Sequence, residues 1–118
     1  MLLLPLLALA AAWCHGQAQV LLKQREASIV RRHKTSASVN CIAEGVPEFQ
    51  HAYIHWYRHL PSRAPERVLY IGARAASYDD NSYSNKYSCS KRGANTCTFT
   101  ISDINSNDEG TYYCAYWH

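Results

Sequence analysis

Near its C-terminal end the chain runs Asp108-Glu109-Gly110-Thr111-Tyr112-Tyr113-Cys114-Ala115-Tyr116-Trp117. Tyrosine, threonine and tryptophan suit a pleated, half-buried surface, so Thr111 to Trp117 is a predicted strand. Side chains alternate across a strand, which sends Tyr112, Cys114 and Tyr116 inward and leaves Tyr113 and Ala115 on an outer face. An inward cysteine on such a strand calls for a partner on a facing one.

Working back through the chain, Thr35 to Ala43 carries Ala37, Val39, Cys41 and Ala43 on one parity and Ser36, Ser38 and Asn40 on the other, the pattern of a strand with one buried face. A second strand covers Ala52 to His59, with Ile54 and Trp56 inward and Tyr53, His55, Tyr57 and His59 outward. Tyr57 and His59 then share an aromatic outer face with Tyr113 and Ala115. The run Arg67 to Ile71 is so apolar that periodicity leaves two options, inward through Val68 and Tyr70 or through Leu69. Gly72 to Asn85 is a loop with a weak edge strand. Lys86 to Ser90 and Thr96 to Ser102 form a hairpin about Lys91 to Asn95, with Phe99 and Ile101 inward and Ile104 plugging the next corner. Gly93 serves the hairpin turn, and Gly45 and Gly72 flank loops that favour positive φ. With turns at intervals of about 8 to 15 residues and no amphipathic helix of useful length, the chain reads as all-β.

The five cysteines stand at 14, 41, 89, 97 and 114. Leu2 to Ala12 is an unbroken run of 11 apolar or small residues, too short to span a bilayer and suited to a secretory leader. Cys14 and Gly16 supply small residues before a cleavage point, which divides the chain into a signal peptide at 1–16 and one domain at 17–118. Four cysteines remain, with three possible pairings. Parity and spacing favour Cys41 with Cys114, 73 residues apart on different inward-facing strands, with Trp56 falling 15 residues after the first. Closing so long a loop contributes roughly 4 kcal/mol in the chain-entropy account. A bridge between packed sheets with an indole against it is the hallmark of immunoglobulin sandwiches, and Tyr112, two residues before the second cysteine, sits where a tyrosine corner ties its hydroxyl to upstream backbone. Cys89 and Cys97 share the inward parity of their strands, and a hairpin would bring them into cross-strand register. Their bridge would add roughly 2 to 3 kcal/mol; the alternative is two buried free thiols.

At these residues the chain resembles an immunoglobulin variable domain. Cys41, Trp56-Tyr57, Leu69-Tyr70, Lys86-Tyr87, Phe99 with Ile101, and Asp108 through Tyr112, Tyr113 and Cys114 stand at variable-domain spacing. Ile54 to Arg58, Ala64 to Tyr70, Asn85-Lys86-Tyr87 and Cys114-Ala115-Tyr116-Trp117 look most like a T-cell receptor gamma variable segment. Antibody light chains and alpha or delta receptor segments share the framework, usually with Gln where this chain has His59. The resemblance implies a V-type two-sheet Greek-key sandwich lacking its final strand, because a complete variable domain continues into a Phe-Gly-x-Gly turn. It also implies joining to a constant region that carries the membrane anchor, and so the extracellular face of the plasma membrane.

From the same resemblance, Tyr57, His59, Pro65 and Tyr113 are expected to face a second variable domain, that of a delta chain. Titration of His59 would make that pairing pH-sensitive. Glu48, Phe49, Gln50 and His51 of the first loop, Arg74 of the second, and Tyr116 and Trp117 at the start of the third are the expected antigen contacts. The ligand is then a cell-surface antigen, and signalling passes to a separate membrane complex through the constant region. Lys86 and Asp108 resemble the ion pair that closes the bottom of such domains. Two other roles stay open: a stand-alone secreted or cell-surface adhesion module, and a segment with no protein role.

Composition narrows the remaining classes. At 118 residues there is room for one core, since a second needs roughly 100 more. Lys plus Arg 12 against Asp plus Glu 9 leaves +3, too small and scattered for a nucleic-acid surface. The basic run Arg31-Arg32-His33-Lys34 reads as a solvated turn. His51, His55 and His59 recur every fourth residue, but on a strand that interval spans about 13 Å, so they cannot share one metal ion. No Gly-x-Ser-x-Gly elbow, phosphate-binding glycine loop or His-Glu-x-x-His is present, and neither an enzyme nor a cofactor is expected.

Overall fold

In β3 (Ala37–Glu44) the side chains of Ala37, Val39, Cys41 and Ala43 are buried while Ser38, Asn40 and Glu44 face water. This two-residue alternation recurs through the computed structural model, which describes residues 21–24, 28–29 and 35–117. The leader expected at 1–16 and the basic run at 31–34 lie outside the described residues.

The other strands are β1 (Leu21–Lys23), β2 (Ser28–Ile29), β4 (Ile54–His59), β5 (Glu66–Ile71), β6 (Ser77–Tyr78), β7 (Tyr87–Arg92), β8 (Thr96–Ile101) and β9 (Gly110–Tyr116). Short 3₁₀ turns at Asn81–Asn85 and Ser106–Asp108 carry the chain between layers. One sheet has the order β1-β3-β8-β7 and the other β2-β9-β4-β5-β6, with antiparallel pairing throughout. The chain changes sheet between β1 and β2, β2 and β3, β3 and β4, β6 and β7, and β8 and β9, giving the Greek-key sandwich. β9 is the last strand among the described residues.

Cys41 on β3 and Cys114 on β9 form a disulfide across the layers, Cα to Cα 6.3 Å. Trp56, Phe99, Ile101, Ile104 and Tyr112 fill the space around it, all essentially without solvent contact. The Trp56 and Phe99 rings stack at 5.0 Å, and Phe99 also meets Tyr87 at 5.5 Å and Tyr112 at 5.9 Å. Such ring clusters add to the area they bury. Tyr112 Oη donates to the Asp108 carbonyl at 2.7 Å, so a buried hydroxyl is satisfied by the corner that precedes its own strand. Lys86 Nζ lies 2.7 Å from the buried Asp108 carboxylate and donates to the Asp103 carbonyl, closing this end of the sandwich.

The register of β4 on β5 answers the question periodicity left open. Trp56 pairs with Leu69 but Tyr57 pairs with Arg67, so Val68 is the extra residue of a bulge. Val68 and Leu69 are therefore both buried, and Tyr70 and Arg67 turn outward.

Two expectations are corrected. Cys89 and Cys97 form no second bridge: both are free thiols, with Sγ atoms 3.1 Å apart. The β7–β8 register sets Cys89 opposite Phe99 and Cys97 opposite Lys91, so the pair is diagonal rather than directly opposed. Gly45 and Gly93 do adopt positive φ, but Gly72 does not. There the reason for glycine is space, because a Cβ would stand 2.8 Å from the Tyr53 ring.

Candidate pairing face and loop cluster

On the outer face of β4 and β9, Tyr57 and Tyr113 are directly opposed in register, and their rings stack at 5.5 Å and 12°. Both are half-buried. His59, at the end of β4, lies opposite Thr111 and is exposed, as is Pro65 in the connection to β5. Alternation on two adjacent strands thus brings Tyr57, His59 and Tyr113 to one face. Gly110 allows the close approach of the two strands at that end, since a Cβ there would lie 2.7 Å from the His59 carbonyl oxygen.

Register also fixes which loops gather. Ile54 pairs with both Ile71 and Tyr116, so the segments before β4, after β5 and after β9 leave the sandwich at one end. Glu48, Gln50, His51, Arg74 and Trp117 are exposed there, and Tyr116 is half-buried. Phe49 departs from its expected role as a contact residue. Its side chain is buried in the core cluster, because the loop folds back and spends its one large apolar group as an anchor.

Lys91 holds that loop down. Its ammonium donates to the carbonyls of Phe49 at 2.7 Å, Gln50 at 3.2 Å and Ala52 at 2.6 Å, and stands 5.1 Å from the centre of the Phe49 ring. Burial pushes the Lys91 ammonium below the usual lysine range. Gln50 Nε2 adds a bond to the Gly93 carbonyl at 2.7 Å, so the β7–β8 hairpin forms the floor of the first loop. Nothing in the spacing of Lys91 signals this, since its partners are backbone oxygens.

Two further residues escaped the sequence reasoning. Gln24 acts as a piece of strand: its side-chain Nε2 donates to the Tyr112 carbonyl at 2.8 Å and its Oε1 accepts from Cys114 N at 2.9 Å, on the edge of β9 beyond its short pairing with β2. Arg58, on the inward parity of β4, pairs with Glu66 and donates to Tyr87 Oη at 2.8 Å and Tyr83 Oη at 3.1 Å. Burial opposes its charge, but the bonds to Glu66 and Tyr87 more than offset this and raise its pKa.

With the double-layered fold, the cross-sheet disulfide and the three convergent loops in place, the chain belongs to the immunoglobulin V-set family, whose description, Immunoglobulin V-set domain, matches residues 24–118. Within it, the relatives are receptor segments. The mouse T-cell receptor gamma chain V region V108B is 33% identical over 118 residues, covering 99% of each chain. Human T cell receptor gamma variable 4 is 32% identical over 99 residues, covering 81% of this chain and 80% of its own. Among solved structures, a chain from "Structural basis of T cell specificity and activation by the bacterial superantigen toxic shock syndrome toxin-1" superposes with a TM-score of 0.73 at 17% identity, covering 84% of this chain and 82% of that one, a likeness of fold. Both relatives are receptor variable segments rather than enzymes.

Proposed function

We propose that this chain is the antigen-recognising variable domain of a T-cell receptor gamma chain, and that it pairs through the outer face of β4, β5 and β9 with the variable domain of a delta chain. The observation that carries the reading is the Tyr57–Tyr113 stack, two half-buried rings on a sheet face that no other described element covers. Large aromatic side chains held rigid on a sheet are the groups that dominate the energy of association. His59 and Pro65 extend the face toward the loop-distant end. Pairing would set the end bearing Glu48, Gln50, His51, Arg74 and Trp117 beside the partner's loops, so that two loop sets form one surface for a cell-surface antigen. Joined to a constant region, the domain stands on the extracellular side of the plasma membrane, and a separate membrane complex carries the signal.

The test is assembly. The chain is expressed with joining and constant regions beside a panel of delta chains, and surface heterodimer is counted by flow cytometry. Tyr57→Glu places an unpaired charge under the partner and reduces display by about tenfold or more, while Arg92→Glu on the opposite sheet leaves it unchanged. Equal display of wild type and Tyr57→Glu refutes the assignment.

A further inference from the structure

Toward the loop end, the same sheet face dips into a shallow, open cavity lined by Tyr53, His55, Arg67, Tyr70 and Trp117. Its rings touch in a chain: Tyr53 with Tyr70 at 6.0 Å, His55 with Tyr70 at 5.8 Å and His55 with Trp117 at 6.5 Å. Tyr53 is 57% exposed, high for so large a ring on a well-packed sandwich. The lining includes a cation. Arg67, turned outward by the bulge at Val68, lies with its guanidinium carbon 4.7 Å from the centre of the Tyr70 ring.

The hydrogen bonds of Arg67 show what it lacks. Only Nε meets a carboxylate, at 2.9 and 3.0 Å from the two Asp79 oxygens. Nη1 is 3.2 Å from His55 Nδ1, a contact in which the guanidinium donates to the lone pair of an uncharged imidazole. Nη2 has no acceptor among the described residues. In water this costs nothing, but a partner that covers the cavity strips the remaining hydration from the charge. A carboxylate in fork geometry is the strongest partner for a covered guanidinium.

We propose that this cavity receives an acidic side chain of the partner variable domain, gripped by the outer nitrogens of Arg67 and flanked by Tyr53, Tyr70 and Trp117. The proposal rests on the pairing reading above. Continuity favours a partner domain over an antigen as the source of the carboxylate: His55 and Ala115 are opposed in register two residues along from Tyr57 and Tyr113, so the cavity and the stack belong to one surface. Charge complementarity at such a position selects among partners.

The experiment uses the assembled receptor with the same panel of delta chains. Arg67→Leu lowers surface heterodimer about tenfold and Arg67→Glu lowers it further. Asp79→Asn, which removes the carboxylate within the chain, leaves display near wild type. Partner variants selected to restore display with Arg67→Glu exchange one Asp or Glu for Lys or Arg. If Arg67→Leu displays normally while Tyr57→Glu does not, the pairing face stands and the cavity proposal falls. An Asp79→Asn loss as deep as that of Arg67→Leu overturns it too, because the ion pair then acts only within the chain. Restoring changes that spare every acidic partner residue also overturn it. Normal display of Tyr57→Glu removes the pairing reading itself, whatever Arg67→Leu does.

Discussion

The indole Nε1 of Trp56 donates to Cys97 Sγ at 3.3 Å inside the sandwich, so the ring packed near the disulfide is tied to a free thiol. Cys97 pairs directly with Cys41 in the β3–β8 register, which sets the thiol beside the bridge. Cys89 completes the arrangement. Its Sγ lies 3.1 Å from Cys97 Sγ, a contact in which either thiol can donate, and this hydrogen bond, reinforced by burial, raises its pKa strongly. Cys97→Ala leaves the indole N–H without an acceptor and a small void beside it, costing about 2 to 4 kcal/mol. Cys97→Ser keeps an acceptor and costs about half as much. Urea unfolding with the disulfide intact measures both, and equal losses would show that the indole bond contributes nothing.

The Lys86–Asp108 pair invites a double-mutant cycle. Asp108 is 5% exposed, and its carboxylate also accepts from Asn105 N at 2.9 Å, so removing the lysine strands a buried charge. Lys86→Met is expected to cost about 2 kcal/mol, less than a fully buried pair because the lysine retains some water. Lys86→Met with Asp108→Asn regains about half of that. A cycle with no coupling energy would reduce the pair to two independent charges.

Lys91→Met is expected to loosen one loop without unfolding the domain. The carbonyls of Phe49, Gln50 and Ala52 lose their shared donor, while the amides of His51 and Ala52 still have acceptors in Glu48 and Phe49. Hydrogen exchange at those two amides should accelerate about tenfold or more, with global stability changed by about 1 kcal/mol. Unchanged protection of His51 and Ala52 would remove Lys91 as the organiser of the loop.

His55 makes stability depend on pH. Burial, and then the neighbouring Arg67 charge, lower its pKa below the usual 6.5, with Asp79 opposing. The unfolded chain therefore binds a proton first as pH falls. Stability rises with pH across the window just below 6.5 and is lost on acidification until the folded pKa is passed. Melting temperatures at pH 7.5, 6.0 and 5.0 should fall more steeply for wild type than for His55→Gln. Parallel curves would assign the acid sensitivity elsewhere.

Alternation made β3, β4 and β9 legible, because each has one buried and one wet face and a period of two leaves little choice. The same parity puts Tyr57 and Tyr113 on one outer face, and the register then sets them directly opposite each other. Val68 and Leu69 escaped because a bulge puts consecutive residues on the same side, which no period can express. Phe49 escaped because a lone aromatic in a polar loop reads the same whether it caps the loop or anchors it.

What the amino-acid order determined by itself was local and periodic: the strands, the cysteine pair at 41 and 114, and the corner tyrosine at 112. Only the tertiary structure decided that Cys97 serves the Trp56 indole, that Lys91 binds three carbonyls of a loop some 40 residues away, and that Arg67 sits under-paired among rings. Those contacts join residues distant in the chain through register offsets and side-chain reach, and register is set by the packing of whole sheets rather than by any one segment.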